Sequence, residues 1–157
     1  MVIRMENKVF GGKIDGLDYQ KRTGVYAVIF NSVKNRVVTV QTARGHYFLP
    51  GGGIEANETN EDCLEREMLE ETGYKISIGS FIGKAMKYFQ STKNEPILSD
   101  GYFYLAELLN KTQNPIEDGH FLKWISIENI EEFLIHEHHI WAVKEGWKKV
   151  KWEIDVC

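Results

Sequence analysis

Glu67, Glu70 and Glu71 fall at the spacing i, i+3, i+4, in a stretch that also holds Glu55, Glu58, Glu61, Asp62 and Glu65. On a helix turning about 100° per residue, the first three share one sector roughly 100° wide. Like charges so placed repel by about 0.2–0.5 kcal/mol per pair at an exposed site. A stretch shaped only for solubility would interleave lysine. The pattern makes sense if hard cations sit on it, because Mg²⁺ takes carboxylate and water oxygens and is commonly completed by substrate phosphates. The competing reading is a solvated acidic helix behind a flexible loop.

The elements that must hold these groups can be read on either side. Thr59 can cap a helix, with Asp62 three residues on completing a variant of the capping box. The helical pattern runs to Thr72, and Gly73 supplies a left-handed stop. Leu64 and Met68 occupy the sector beside the carboxylates and can face a sheet. Gly51, Gly52 and Gly53 precede the helix and permit close approach of backbone to helix and to bound phosphate. No Gly-Lys-Ser/Thr follows them, so this is not a Walker loop.

Residues 23–30 and 36–42 are rich in β-branched and aromatic residues around a turn-like 31–35 segment, which predicts a hairpin. Residues 46–49 form a short strand stopped by Pro50 and the glycines. Further strands are expected over 75–89 (one long bent strand or two), 102–108 and 122–127, with a loop over 110–119. A final helix is expected over 132–146. The sum is α/β (α+β) in class, a central mixed sheet flanked by helices, without the regular alternation of a doubly wound sheet.

The chain of 157 residues reads as one domain, 1–157, with 43% hydrophobic and 27% charged residues. No apolar run approaches the ~18 residues of a membrane helix. The first residues lack the apolar stretch of a secretory signal, so a cytoplasmic location is the default expectation. Cys63 and Cys157 are read as free thiols, too few for a disulfide framework or a zinc site. The net charge of −4 and the acidic cluster disfavour a long nucleic-acid partner. Lys148, Lys149 and Lys151 are read as a solvated helix end.

The ordered string from Gly52 to Tyr74, GGIEANETNEDCLEREMLEETGY, resembles the signature of the Nudix hydrolases, the family of the MutT protein. Gly52, Glu58, Arg66, Glu67, Met68, Glu70, Glu71, Gly73 and Tyr74 fill its constrained positions. The resemblance implies a Nudix-like α/β/α sandwich and hydrolysis of a phosphoanhydride bond in a nucleoside diphosphate linked to another moiety. It implies Mg²⁺, with Mn²⁺ as a substitute. Glu70 and Glu71 would be principal ligands, Glu67 a ligand or the group orienting the water, and Glu58 a support from the loop. Arg66 would pair with a carboxylate and hold its rotamer. A later acidic loop residue often completes such sites; Glu117 is preferred here over Asp118. Members are often homodimers, although no residue pattern marks an interface.

Outside the motif, Arg44 and His46 could reach phosphate or base, or be ordinary strand-edge residues. Tyr88 and Phe89 could stack on a base, or belong to the core. Asp100 follows a loop, where it could bond a base edge or cap a turn. His136, His138 and His139 are read as a helix surface. Trp124, Trp141, Trp147 and Trp152 are expected to pack the last helix onto the sheet. The leading substrate expectation is a small-molecule (deoxy)nucleoside triphosphate, taken to monophosphate and pyrophosphate. Within the same chemistry, ADP-ribose, nucleotide sugars and dinucleoside polyphosphates are alternatives. A non-catalytic nucleotide-binding module is the alternative from another class.

Overall fold

The computed structural model describes residues 8–156, with side chains through Lys151. Cys157 and the side chain of Trp152 lie outside the described part. The chain order is β1 (Lys8–Phe10), β2 (Gln20–Val28), β3 (Arg36–Thr42), β4 (Tyr47–Phe48), β5 (Gly51–Gly53), α1 (Asn60–Thr72), β6 (Tyr74–Gln90), β7 (Pro96–Lys111), β8 (His120–Ser126), α2 (Ile130–Phe133) and α3 (Glu137–Val156). A five-stranded mixed sheet runs β1-β6-β7-β2-β5, and a three-stranded sheet runs β4-β3-β8.

The expected hairpin forms only at its turn. Asn31 Oδ1 accepts from the backbone N–H of Asn35 and of Arg36, both at 2.9 Å. Phe30 then bridges Val37, and beyond that bridge the two strands part into separate sheets. Their inward faces explain why. Val25, Ala27, Ile29 and Val38 pack under α1 against Cys63, Leu64 and Met68. Val28 and Val37 pack with Phe103, Ala142 and Val143 on the side of α3. Each fully buried Leu, Val or Met side chain contributes about 1.5–3 kcal/mol. Two cores on opposite faces of the strands give the α/β/α sandwich that the family resemblance implied.

Three boundaries differ from expectation, and one open reading is resolved. The glycine run does not merely stop a strand, because Gly51–Gly53 pairs antiparallel with Gly24–Tyr26. Of the two readings held open for the region after α1, the chain takes the one long bent strand, with register shifts between Ile78 and Phe81 and between Phe81 and Gly83. Its partner β7 starts at Pro96, before the expected residue 102, after a tight turn in which Ser91 Oγ accepts from Lys93 and Glu95 N–H. The expected last helix is broken: Leu134 is extended (φ −69°, ψ 126°), and Ile135 N–H donates to Tyr47 O at 3.2 Å. The short strand β1 carried no signal strong enough to be expected.

The histidines of α3 are not a helix surface. His138 and His139 are 0% and 1% exposed, because they share the inward stripe of Ala142 and Val143. Trp141 packs near Phe103, their rings 6.2 Å apart, and Trp147 Nε1–H donates to Lys34 O at 3.4 Å. Trp124 departs from the expectation. It is 39% exposed and stands opposite Val38 in the sheet, on the α1 side. Among the described residues, no helix is long and apolar enough to cross a membrane.

Candidate active site

The site begins with the two ends of α1. At its start, Thr59 Oγ1 accepts from Asp62 N–H at 3.1 Å and Asp62 answers to Thr59 N–H at 3.4 Å, which closes the expected capping box. At its end, Gly73 sits in the left-handed region at φ 78°. The last carbonyls of a helix need donors from elsewhere. Here Glu70 O accepts from Ile116 N–H at 2.9 Å and from Glu117 N–H at 3.1 Å. Capping the helix thus delivers the loop acid Glu117 to the carboxylate face. Gly73 makes room for this loop, since a Cβ there would lie 1.9 Å from Gln113 O.

Gly52 runs tight against the helix, and a Cβ on it would meet the Glu67 carboxylate at 2.6–2.8 Å. Gly51 N–H donates to Glu71 Oε1 at 2.8 Å. Gly53 is open, with nothing nearer its Cβ position than Thr23 O at 4.0 Å. Arg66 ties the acids together. Its Nε and Nη2 donate to the two oxygens of Glu58 at 2.6 and 2.9 Å. Its Nη1 donates to Glu67 at 3.0 Å and Glu70 at 3.2 Å, and Nη2 reaches Gly53 O at 3.0 Å.

The electrostatics separate the acids. Hydrogen bonds from Arg66, then from Glu55 N–H, hold Glu58 below the usual carboxylate range, and the bond to Glu58 chiefly raises Arg66. Burial pushes Glu67 up, with Arg66 opposing. Glu71 is 7% exposed, and burial lifts it well above an ordinary carboxyl, against the pull of the Gly51 hydrogen bond. A cation held there would offset the burial that disfavours these charges. Burial pushes the Cys63 thiol up to about 11, which disfavours the thiolate.

Two donor sets converge. One donor atom from each of Glu67, Glu70 and Glu117 lies within 4.8 Å of the others, and the same holds for Glu71, Glu117 and His120. This Glu/His cluster fits a divalent cation: hard oxygens dominate, and burial leaves Glu71 in need of compensation. His120 was missed by sequence reasoning. Its only signal was its place three residues after Glu117. Tyr26 was missed as well; burial, then the charges of Glu71 and Glu67, push its phenol up to about 12.

The other expected residues are dispersed. Arg44 is exposed in the turn between β3 and β4. His46 follows that turn, 6.4 Å ring to ring from Phe48. Tyr88 meets Tyr19 edge-on at 4.8 Å, while Phe89 packs against His136 at 4.9 Å. Asp100 neither follows a loop nor caps a turn. It is a buried member of β7, 3.3 Å from Lys84 and 3.5 Å from Lys21. Asp118 is exposed and offers its backbone carbonyl toward His120 Nδ1 at 3.3 Å.

An acidic helix face capped by an acid-bearing loop, inside an α/β/α sandwich, is a candidate divalent-cation site in a fold of the Nudix kind. Residues 20–145 match the NUDIX domain, and the chain belongs to the Nudix family. It is 36% identical over 72 residues to the low-salt glycan biosynthesis protein Agl8 of Haloferax volcanii, covering 46% of this chain and 45% of that protein. It is 25% identical over 120 residues to the mouse diphosphoinositol polyphosphate phosphohydrolase 3-alpha, covering 72% and 71%. It is 29% identical over 100 residues to the NAD-capped RNA hydrolase NudC of Vibrio parahaemolyticus, covering 62% and 36%. The match thus spans less than half the length of two of these relatives. In fold, the chain is similar to a NUDIX hydrolase from Nitrosomonas europaea, with a TM-score of 0.67, 17% identity and coverage of 80% and 88%.

Proposed function

We propose that this protein hydrolyses a phosphoanhydride bond in a nucleoside diphosphate joined to a second moiety, such as ADP-ribose, a nucleotide sugar or an NAD-type dinucleotide. The observation that carries the reaction class is the convergence of Glu67, Glu70, Glu71 and Glu117 on one face of α1 and its capping loop. In this reading Glu67, Glu70 and Glu71 hold Mg²⁺, or Mn²⁺ in its place. The bound cation would polarise the phosphoryl oxygens and offset the charge that develops on them. Arg66 fixes the rotamers of Glu58, Glu67 and Glu70. Gly51 and Gly52 keep the strand close enough for a diphosphate to lie along it. Glu117 orients the attacking water and accepts its proton.

The substrate class rests on the curated relatives. One of them is named for an NAD-capped RNA, whose diphosphate is substituted at both ends, and another for a diphosphoinositol polyphosphate, whose diphosphate is borne on one group. The first favours a diphosphate with two substituents over the (deoxy)nucleoside triphosphate expected first. The test is product release from ADP-ribose, NADH, a UDP-sugar, diadenosine tetraphosphate, dGTP and 8-oxo-dGTP, with and without Mg²⁺. Metal-dependent turnover of a two-substituent diphosphate, abolished in a folded Glu70→Gln variant, is the expected result. Preference for dGTP or 8-oxo-dGTP would overturn the substrate assignment. Turnover that survives Glu70→Gln would overturn the assignment of the site.

A further inference from the structure

We propose that His139 is a positioning residue for the cation site: its imidazole anchors the chain where it enters the glycine run, and so aims Gly51 N–H at Glu71. The inference rests on the proposed function, because Glu71 is a cation ligand in that reading.

The chain crosses between the two sheets at residues 49–50. β4 ends at Phe48 in the three-stranded sheet, and β5 starts at Gly51 in the five-stranded one. Pro50 has no N–H, so Leu49 N–H is the single backbone donor of the crossing. It donates to His139 Nδ1 at 3.1 Å. Two residues on, Gly51 N–H donates to Glu71 Oε1 at 2.8 Å. Gly51 sits at φ 141°, and the wide conformational range of glycine leaves the direction of its N–H to the anchors around it. Those anchors are the His139 bond, the Ala27 N–H on Pro50 O at 2.9 Å, and the pairing of Gly51 with Tyr26.

The packing points the same way. The Tyr26 ring lies 4.7 Å from that of His139, and its Cδ1 stands 2.9 Å from the place a Gly51 Cβ would take. His139 thus supports Gly51 along the chain through Leu49 and across the sheet through Tyr26.

The protonation pattern separates this role from mere packing. A ring nitrogen that accepts from a backbone N–H keeps its lone pair, so the neutral imidazole holds its proton on Nε2. That atom has no hydrogen-bond partner among the described residues, although His139 is 1% exposed. A buried donor left unpaired costs stability, and an aliphatic side chain in the same space would not carry one. Such a side chain could not accept from Leu49. Burial keeps His139 neutral well below its usual range, which preserves the acceptor.

The test uses the full chain near neutral pH, with Mn²⁺ alone as the probe. It reads calorimetric Mn²⁺ affinity and, by NMR, amide hydrogen exchange at Leu49 and Gly51. In His139→Leu the affinity should fall about tenfold and both amides should exchange at least about tenfold faster. His139→Asn, whose Oδ1 can stand where Nδ1 stood, should recover most of both losses. His138→Leu lies on the same buried face of α3 but bonds Ser99, and should stay within about twofold of the parent. If His139→Leu does not fold, His139→Gln, whose amide oxygen falls at the Nε2 position, serves as the variant without the acceptor. Parent-like values in the variant without the acceptor, a change in only one of the two readouts, or equal losses in His138→Leu overturn the role of His139. If Mn²⁺ binding is lost in Glu70→Gln but not in that variant, the proposed function stands without it. Absence of Mn²⁺ binding in the parent protein overturns both.

Discussion

Arg66 grips Glu58 with two parallel hydrogen bonds, Nε to Oε2 at 2.6 Å and Nη2 to Oε1 at 2.9 Å. The fork also uses Nη1 on Glu67 and Glu70, so one guanidinium sets the positions of three acids. Lysine at this position keeps the charge but loses the planar fork. Arg66→Lys should lower turnover or cation affinity by about 10–100-fold, the usual loss when a partner of metal ligands is removed. The melting temperature should move by only a few degrees, because the pairs are partly solvated. Steady-state kinetics at several Mg²⁺ concentrations check this. Activity within twofold of the parent would show that the fork does not position the acids.

Gly52 tests how closely the strand must approach the helix. A Cβ there meets the Glu67 carboxylate at 2.6 Å, whereas one at Gly53 meets nothing closer than 4.0 Å. Gly52→Ala should therefore displace Glu67 and reduce cation affinity by at least about tenfold. Gly53→Ala should be close to neutral in both affinity and stability. Parallel calorimetric titrations with Mn²⁺ decide it, and equal affinities for the two variants would refute the steric argument.

These contrasts show what a sequence can carry. The α1 caps were legible because capping chemistry is local: Thr59, Asp62 and Gly73 act within a turn of where they stand. The ordered acids were legible because their spacing is helical and their motif is dense. Other features depend on distant partners. The pairing of Gly51–Gly53 with β2 has no side-chain signal. The bends in β6 arise from register shifts against β7, and the helix break at Leu134 arises from its bridge to Tyr47. Asp100 is a polar letter in a strand, whose burial the Thr23 hydroxyl and the ammonium groups of Lys21 and Lys84 make tolerable. His120 stands alone between a loop and a strand, and only the folded chain sets it beside Glu71.

The buried histidines yield a prediction about acid stability. Burial, reinforced by Lys87 and His46, pushes His136 down to about 4. Burial, with His136 and Lys87, pushes His138 down to about 3, and His139 lies well below its usual range. The groups around them include Ser99 of β7, 3.0 Å from His138 Nε2. Leu49 N–H donates to His139 Nδ1 at 3.1 Å, Tyr26 of β2 packs 4.7 Å from His139, and Lys87 Nζ of β6 lies 3.4 Å from His136 Nδ1. Above pH ~6.5 both folded and unfolded imidazoles are neutral, so the cluster adds no pH dependence. As the pH falls below that value, the unfolded chain takes up protons that the folded chain refuses. Each histidine then costs about 1.4 kcal/mol per pH unit, until its folded-state value is reached. Glu67 and Glu71, raised by burial, act in the opposite sense, favouring the fold on acidification. The test is therefore a difference: urea unfolding of the parent and of His138→Leu between pH 7.5 and 5. The variant should lose about one proton's worth of slope below pH ~6.5 and show none of that change above it. Parallel stability curves across the whole range would mean that His138 is not held neutral by the fold.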